Sequence, residues 1–267
     1  MTQTVVTGAT GRMGRRLIAL IHGDPNCHLA GAVTRAAHDA IGRDAGEIAG
    51  VGTLNVPVSA NLADIVVKAD VIIDFSVPEA SLNYLRLARE AGVAMVIGTT
   101  GFSAAERESI VDHSRYIPCV MAPNMSLGVQ VMFQLLQQAA ALLGSGYDIE
   151  ILEAHHRTKV DAPSGTAVRM GEILAEARQQ TLDAAGVYGR QGQVGVRSDT
   201  EIGMHAIRGG DIVGEHTVIF AGTGERIELI HRSQSRDNFV QGAIRAAQWL
   251  VTQSPGLYGM EDVIRAE

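Results

Sequence analysis

The sequence predicts an α/β protein in two parts, a parallel-sheet domain and a second α+β domain containing a mixed sheet. Three observations carry this. In the first half, short apolar runs without polar alternation are separated by helix-like segments, the pattern of strands buried on both faces of a parallel sheet. Beyond residue 143 the runs show partial alternation and are joined by glycine turns, as antiparallel strands are. A helical segment follows the last of them, and its place suggests that the chain returns to the first domain.

Taken in order, residues 4–7 are a strand, followed by a glycine loop and a helix over 15–21. Residues 29–33, 71–75, 93–97 and 117–121 are further β-branched-rich strands, the last three followed by Ser, Gly and Ala-Pro-Asn, and 80–91 is a crossover helix. The stretch 116–147 carries no charge and is long enough to invite a membrane reading. Pro118, Pro123 and Asn124 break its first part. In its second part, 127–143, Gln130, Gln134, Gln137 and Gln138 form one helical face and Val131, Met132, Leu135, Leu136, Ala139, Leu142 and Leu143 the other, so an amphipathic core helix is expected. Strands follow at 148–154, 201–208, 213–220 and 225–230, the last three expected as antiparallel neighbours through the turns at 208–211 and 222–225. A helix over 238–251 ends the series. The domains are expected at 1–126, completed by 238–267, and at 127–237.

Composition narrows the function. The chain has 267 residues, 46% hydrophobic and 19% charged, with a formal net charge of -7. That excludes disorder, and an acidic chain without a Lys/Arg run is not built to hold nucleic acid or an anionic membrane over a broad surface. Cys27 and Cys119 stand far apart and outside any Cys-x-x-Cys, so neither a disulfide framework nor a structural zinc site is indicated. The first residues, Met1-Thr2-Gln3-Thr4, lack the basic and long apolar regions of a signal peptide, and a cytoplasmic location is expected.

The glycine loop is Gly8-Ala9-Thr10-Gly11-Arg12-Met13-Gly14, between a strand and a helix. Glycines there permit a tight turn and the close approach of a pyrophosphate to the free N–H groups of the helix start, the device of a Rossmann-like dinucleotide domain. The second strand of such a domain ends in Asp or Glu when the ligand is NAD. Here that place holds Thr34 and Arg35, and Arg35 with Arg12 suits a 2′-phosphate, so NADPH is the expected donor and NADH the alternative. Later strand ends bring Asp74-Phe75-Ser76, Gly98-Thr99-Thr100-Gly101 and Ala122-Pro123-Asn124-Met125, small and polar groups suited to ribose and nicotinamide.

The densest chemistry lies in residues 153–166, Glu-Ala-His-His-Arg-Thr-Lys-Val-Asp-Ala-Pro-Ser-Gly-Thr. Lys159 is one of two lysines in the chain. Adjacent His155 and His156 on an extended segment point oppositely and have no third ligand spaced nearby, which disfavours a metal. Pro163 followed by Ser164, Gly165 and Thr166 has the form of a helix start, with 167–179 as the helix. Its N–H groups can bind a carboxylate while Lys159 neutralises the charge. The cluster suits a small anionic substrate, and histidine supplies a proton near neutrality.

These motifs, together with Gly210-Asp211-Ile212-Val213-Gly214-Glu215-His216, resemble the 4-hydroxy-tetrahydrodipicolinate reductase family over essentially the whole chain. The resemblance implies NAD(P)H-dependent reduction in the diaminopimelate branch of lysine biosynthesis, a small dicarboxylate substrate and a cytoplasmic homotetramer. It also implies His155 as proton donor or acceptor, Lys159 as second proton donor and carboxylate partner, and His156, Gly165 and Thr166 as substrate contacts. Gly8 to Met13, Gly98 to Thr100 and Ala122 to Met125 match the family's nucleotide contacts. Some members carry an acidic residue where Thr34 stands, and this departure leaves dual cofactor use unsupported. The nearest alternative is another NADPH-dependent reductase of a small anionic imine, and two more distant readings fit the sequence less well. An extended short-chain dehydrogenase would need Tyr-x-x-x-Lys, which none of the five tyrosines begins, and a non-catalytic NADPH sensor would not need His155, His156 and Lys159.

Overall fold

The computed structural model describes residues 1–265, so the last two residues of the expected 238–267 segment lie outside it. Twelve strands are present among the described residues: β1 Thr2–Thr7, β2 Cys27–Val33, β3 Val58–Ser59, β4 Val71–Asp74, β5 Ala94–Ile97, β6 Pro118–Met121, β7 Asp148–His155, β8 Gly186–Tyr188, β9 Ile202–Arg208, β10 Gly214–Ala221, β11 Arg226–Ser233 and β12 Gly256–Tyr258. They form a seven-stranded sheet in the order β12-β6-β5-β4-β1-β2-β3 and a five-stranded sheet in the order β11-β10-β7-β9-β8. The chain divides into two compact units, residues 1–127 with 237–267 and residues 128–236.

In the first unit every strand pair is parallel. Successive side chains of a strand face opposite sides, and both sides here are covered. Val71, Ile73, Ala94 and Val96 enter one core with helices Arg12–Gly23 and Asp237–Leu250. Ile72, Met95 and Ile97 enter the other with helices Pro78–Ala91 and Ala104–Ser114. Burial on both faces is why these runs lack polar alternation. The segment after Arg236 supplies Val240, Ala243, Ala246 and Ala247 to this core and an edge strand, β12, paired with β6.

The second unit's sheet is mixed: β10 runs antiparallel to β7 and β11, while β7, β9 and β8 are mutually parallel. One sequence expectation fails here. The strands 201–208 and 213–220 are not neighbours, because β7 lies between them. The glycine turn closes no hairpin. Gly209 N–H donates to the carbonyl of His155, and Arg157 N–H to that of Gly210, so the turn passes over the end of β7. Insertion of β7 at the centre satisfies both of its backbone edges.

Helices Leu127–Leu143 and Gly165–Ala177 supply Met132, Leu136, Ala140, Ala167, Met170 and Leu174 to the core shared with Ile149, Ile151, Val218 and Phe220. The first of these helices turns differently from the expectation. Its inward stripe is Val129, Gln130, Met132, Leu136 and Ala140, while Val131, Leu135 and Leu142 face outward. With the following turn it makes Leu127–Gly146, the one described stretch long and apolar enough to cross a membrane. Met132, Leu136 and Ala140 of its buried stripe pack in the second unit's core.

Candidate functional site

In the first unit the strand order reverses between β1 and β4, the place where open parallel sheets form a ligand crevice at their carboxyl ends. The glycine loop leaves β1 there. Gly8 has φ +67°, and a Cβ on it would lie 2.3 Å from the carbonyl oxygen of Phe75 beyond β4. Gly14 is pressed harder, since its Cβ would come within 2.2 Å of the Gly8 oxygen. These two glycines are required by backbone packing. Gly11 is the N-cap of helix Arg12–Gly23, and no side chain caps that helix. An uncapped start fronted by a loop drawn tight against β4 fits a pyrophosphate.

Thr34 directly follows β2, is buried, and its hydroxyl lies 2.8 Å from that of Thr10. Arg12 and Arg35 are exposed, and among the described residues neither side chain forms an ion pair or hydrogen bond. Ala9, Ala122 and Met125 are core side chains, so a ligand would meet them through their backbone. Pro123 is exposed, and Asn124 turns back to accept the Ser126 N–H at 2.9 Å, ahead of helix Leu127–Leu143.

The Thr99 side chain is engaged within the protein. Its hydroxyl donates to buried Asp74 at 2.7 Å and accepts the Ser76 N–H at 2.9 Å. Asp74 also accepts from Thr7 at 2.5 Å, from Ser76 at 2.6 Å and from Ser81. One fully buried carboxylate thus ties together the ends of β1, β4 and β5. Gly98 leaves room for the Phe75 ring, which a Cβ would meet at 2.3 Å, while Thr100 stays exposed beside Gly101 at φ +90°.

The second unit gathers the histidine-lysine segment at the end of β7. Glu153 and His155, two apart on a strand, face the helix-covered side with Ile149 and Ile151. Register places His216 of β10 opposite Glu153, and Arg208 of β9 beside His155. Glu153, whose side chain is 1% exposed, accepts from His155 Nδ1 at 2.6 Å, from both Arg208 Nη atoms at 2.7 Å and from the Ser164 N–H at 3.0 Å. Burial works to raise its pKa, but the hydrogen bonds from Arg208, His155 and Ser164 outweigh it and hold the carboxyl below its ordinary range.

His155 is pushed below the ordinary imidazole value, first by burial and further by Lys159 and Arg208, with Glu153 opposing. The ring of His216 meets that of His155 edge-on at 5.3 Å between centroids. Burial, reinforced by the nearby His155, lowers His216 to about 3, so it is neutral. Its Nε2 lies 3.1 Å from the Ser164 hydroxyl. Ser164 caps helix Gly165–Ala177 by accepting the Ala167 N–H at 3.2 Å, and a Cβ on Gly165 would meet open space. Lys159 pairs with Asp161 at 2.8 Å, and His156 Nδ1 lies 2.8 Å from the Thr158 hydroxyl.

The second unit therefore brings His155, Lys159 and the start of the Gly165 helix into one segment, while the nucleotide candidates collect in the first unit. Glu153, Arg208 and His216 are neighbours of this segment to which motif reading assigns no role, whereas Ser164 is expected from the sequence as part of the helix start. The two-residue spacing of Glu153 and His155 on a strand is the signal that could have found the first of them. Among the described residues no three His, Cys, Asp or Glu side chains gather as a metal ion would need.

Comparison with known proteins agrees along the whole chain. The family model described as dihydrodipicolinate reductase, N-terminus, matches residues 2–125, and that described as dihydrodipicolinate reductase, C-terminus, matches residues 128–264. The 4-hydroxy-tetrahydrodipicolinate reductase of Syntrophus aciditrophicus is 52% identical over 264 residues, 99% of this chain and 98% of that one. The protein of the same name from Magnetococcus marinus is 53% identical over 259 residues, 97% of each chain. A solved structure of dipicolinate-bound dihydrodipicolinate reductase from Paenisporosarcina sp. TG-14 superposes with a TM-score of 0.77 at 26% identity, covering 98% of this chain and 99% of that one.

Proposed function

The chain belongs to the dihydrodipicolinate reductase family, and we propose that its two units divide one reduction between them, the first holding a pyridine nucleotide and the second a cyclic dicarboxylate. The reaction is the 4-hydroxy-tetrahydrodipicolinate reductase step of the diaminopimelate route to lysine. Substrate, NAD(P)H and a proton give tetrahydrodipicolinate, NAD(P)⁺ and water, the water carrying off the 4-hydroxyl. When bound, the nicotinamide supplies the hydride.

The chain's own residues supply the rest. As the imidazolium, His155 delivers the proton from Nε2, the ring nitrogen that Glu153 does not occupy, and is left as the neutral ring with its remaining proton on Nδ1. Lys159 and the N–H groups of Gly165 and Thr166 hold a substrate carboxylate, with His156 beside them. Positive charge is thereby concentrated locally in a chain of net charge -7. The observation that carries this reading is the buried Glu153–His155 pair, joined through Ser164 to a capped helix start.

NADPH is the preferred donor. The uncapped start of helix Arg12–Gly23 and the unpaired Arg12 and Arg35 support a nucleotide carrying a 2′-phosphate, with NADH as the weaker alternative. Gly8 to Met13, Thr34, Arg35, Gly98 to Thr100 and Ala122 to Met125 are its contacts, Thr99 through the backbone it holds in place. The chain acts in the cytoplasm as a homotetramer. Ile207 on β9 and Ile230 on β11, 52% and 45% exposed on the face away from the helices, support burial of the second unit's sheet against another copy.

The test follows NADPH and then NADH oxidation by absorbance, with substrate generated in situ by the preceding synthase. His155→Ala should lower kcat by ~10²–10⁴-fold with little change in nucleotide affinity. Lys159→Ala should lower kcat and weaken substrate binding together, and Arg35→Ala should weaken NADPH more than NADH. Wild-type kcat in His155→Ala would remove that residue from the chemistry. A monomeric mass by light scattering would refute the tetramer.

A further inference from the structure

Glu153 is placed to do more than fill a buried position. An ionised carboxylate has no proton to donate, so its 2.6 Å contact with His155 Nδ1 requires the proton to sit on the imidazole. The other donors to Glu153 are a bidentate guanidinium and a backbone N–H, both permanently protonated, and they keep it ionised. With Nδ1 committed, the lone pair of neutral His155 lies on Nε2. That nitrogen faces Gly214, where a Cβ would stand 3.0 Å away, so glycine leaves the approach to Nε2 open.

We propose that Glu153 is the positioning residue of the proton transfer: it fixes His155 as the Nδ1–H tautomer and so commits Nε2 to exchange the proton with the substrate. This rests on the assignment of His155 as proton donor made above. The same carboxylate takes the Ser164 N–H, so one group aligns both the donor and the helix start that holds the substrate carboxylate.

The charged and titratable groups facing His155 are Glu153 on its own strand, Arg208 on β9, Lys159 in the following loop and His216 on β10. Glu153 favours the imidazolium, while Lys159 and Arg208 oppose it. Removing Glu153 or Arg208 should therefore move His155 in opposite directions, an outcome that loss of packing alone does not produce.

E153Q tests this directly. One of the two carboxylate oxygens meets two fixed donors, Arg208 Nη2 and the Ser164 N–H, and the other meets one fixed donor and His155. The glutamine oxygen will take the first place and its NH₂ the second, where it donates to Nδ1 and drives the imidazole proton to Nε2. In full-length protein labelled with ¹⁵N-histidine, with signals assigned by H155Q and at a pH above the basic limb of kcat, where the ring is neutral, the wild type should show protonated Nδ1 and bare Nε2. E153Q should show the reverse. The basic limb of kcat against pH should move about one unit lower in E153Q, with kcat above the limb down about tenfold. R208Q should move the limb upward. Should E153Q not fold, the wild-type tautomer and the R208Q limb decide. An Nε2–H tautomer in the wild type, or E153Q with tautomer and limb unchanged, overturns the proposal. Absence of turnover by the wild type counts against the reaction itself, and is told apart because the tautomer is read without substrate.

Discussion

Replacing Asp74 by Asn changes a single atom at the point where three strand ends of the first unit meet. The carboxylate is fully buried and accepts from the hydroxyls of Thr7, Ser76, Ser81 and Thr99, two to each oxygen. An amide nitrogen in place of either oxygen faces two hydroxyls as a competing donor. Ser76 or Ser81 can rotate to accept. Thr99 is less free, because its oxygen already holds the Ser76 N–H at 2.9 Å. One buried group left without its partner costs about 1–3 kcal/mol, and weakening the two remaining charge-assisted bonds adds roughly 1 kcal/mol each, for a total of about 3–5 kcal/mol. At about 3 °C per kcal/mol, the unfolding transition of this unit should fall by roughly 10–15 °C.

Because Thr99 holds the backbone after β4, the loops at 75–76 and 98–100 should loosen together, and NADPH affinity should fall about tenfold or more, equivalent to ~1.4 kcal/mol. Calorimetric unfolding and nucleotide titration of D74N read both effects. A variant unfolding within about 2 °C of the wild type would refute the reasoning, since it would mean the four hydroxyls find equal partners without the charge.

Gly14→Ala places a methyl between backbone atoms of Gly8 and Ala9, where no rotamer relieves it, and should cost about 3 kcal/mol or more and abolish nucleotide binding; retained affinity by titration would contradict the tight-loop reading. Glu150 is held at about 2: burial raises it, but hydrogen bonds from Arg190, His205 and Arg197 prevail. Its contribution is present above the unfolded carboxylate range and lost as pH falls from about 4.5 to about 2, so E150Q should flatten the acid limb of the second unit's stability in urea titrations. His216, neutral in the fold with its pKa lowered to about 3, binds its proton first in the unfolded chain. Stability should therefore decline as pH falls from 6.5 toward 3, and H216Q should lack that component of the decline.

Much of this molecule is legible in the sequence because it is local. The β-branched runs at 4–7, 71–75 and 93–97 lack alternation because both faces of the parallel sheet are covered, and the glycine loop announces a helix start that no side chain caps. The segment 153–166 contains His155, Lys159 and the cap Ser164 within fourteen residues, so their proximity can be read before any fold is known. Thr34 and Arg35 are legible as well, since a strand end follows a strand at a fixed distance.

What the tertiary structure alone decided is how side chains distant in sequence share hydrogen bonds. Thr99 reads as a nucleotide contact, yet its hydroxyl is bound by Asp74, twenty-five residues earlier. The glycine turn at 208–211 reads as a hairpin, but β7 takes the place between β9 and β10 because a central strand satisfies its backbone on both edges. That insertion brings Arg208, fifty-five residues on, to Glu153, and His216 to the opposite side of the same carboxylate. Spacing along the chain encodes which face of a strand a residue occupies. Which strand lies beside it follows from the balance of burial and backbone pairing over the whole sheet, and the partner that sets a titratable group's charge comes from that neighbour.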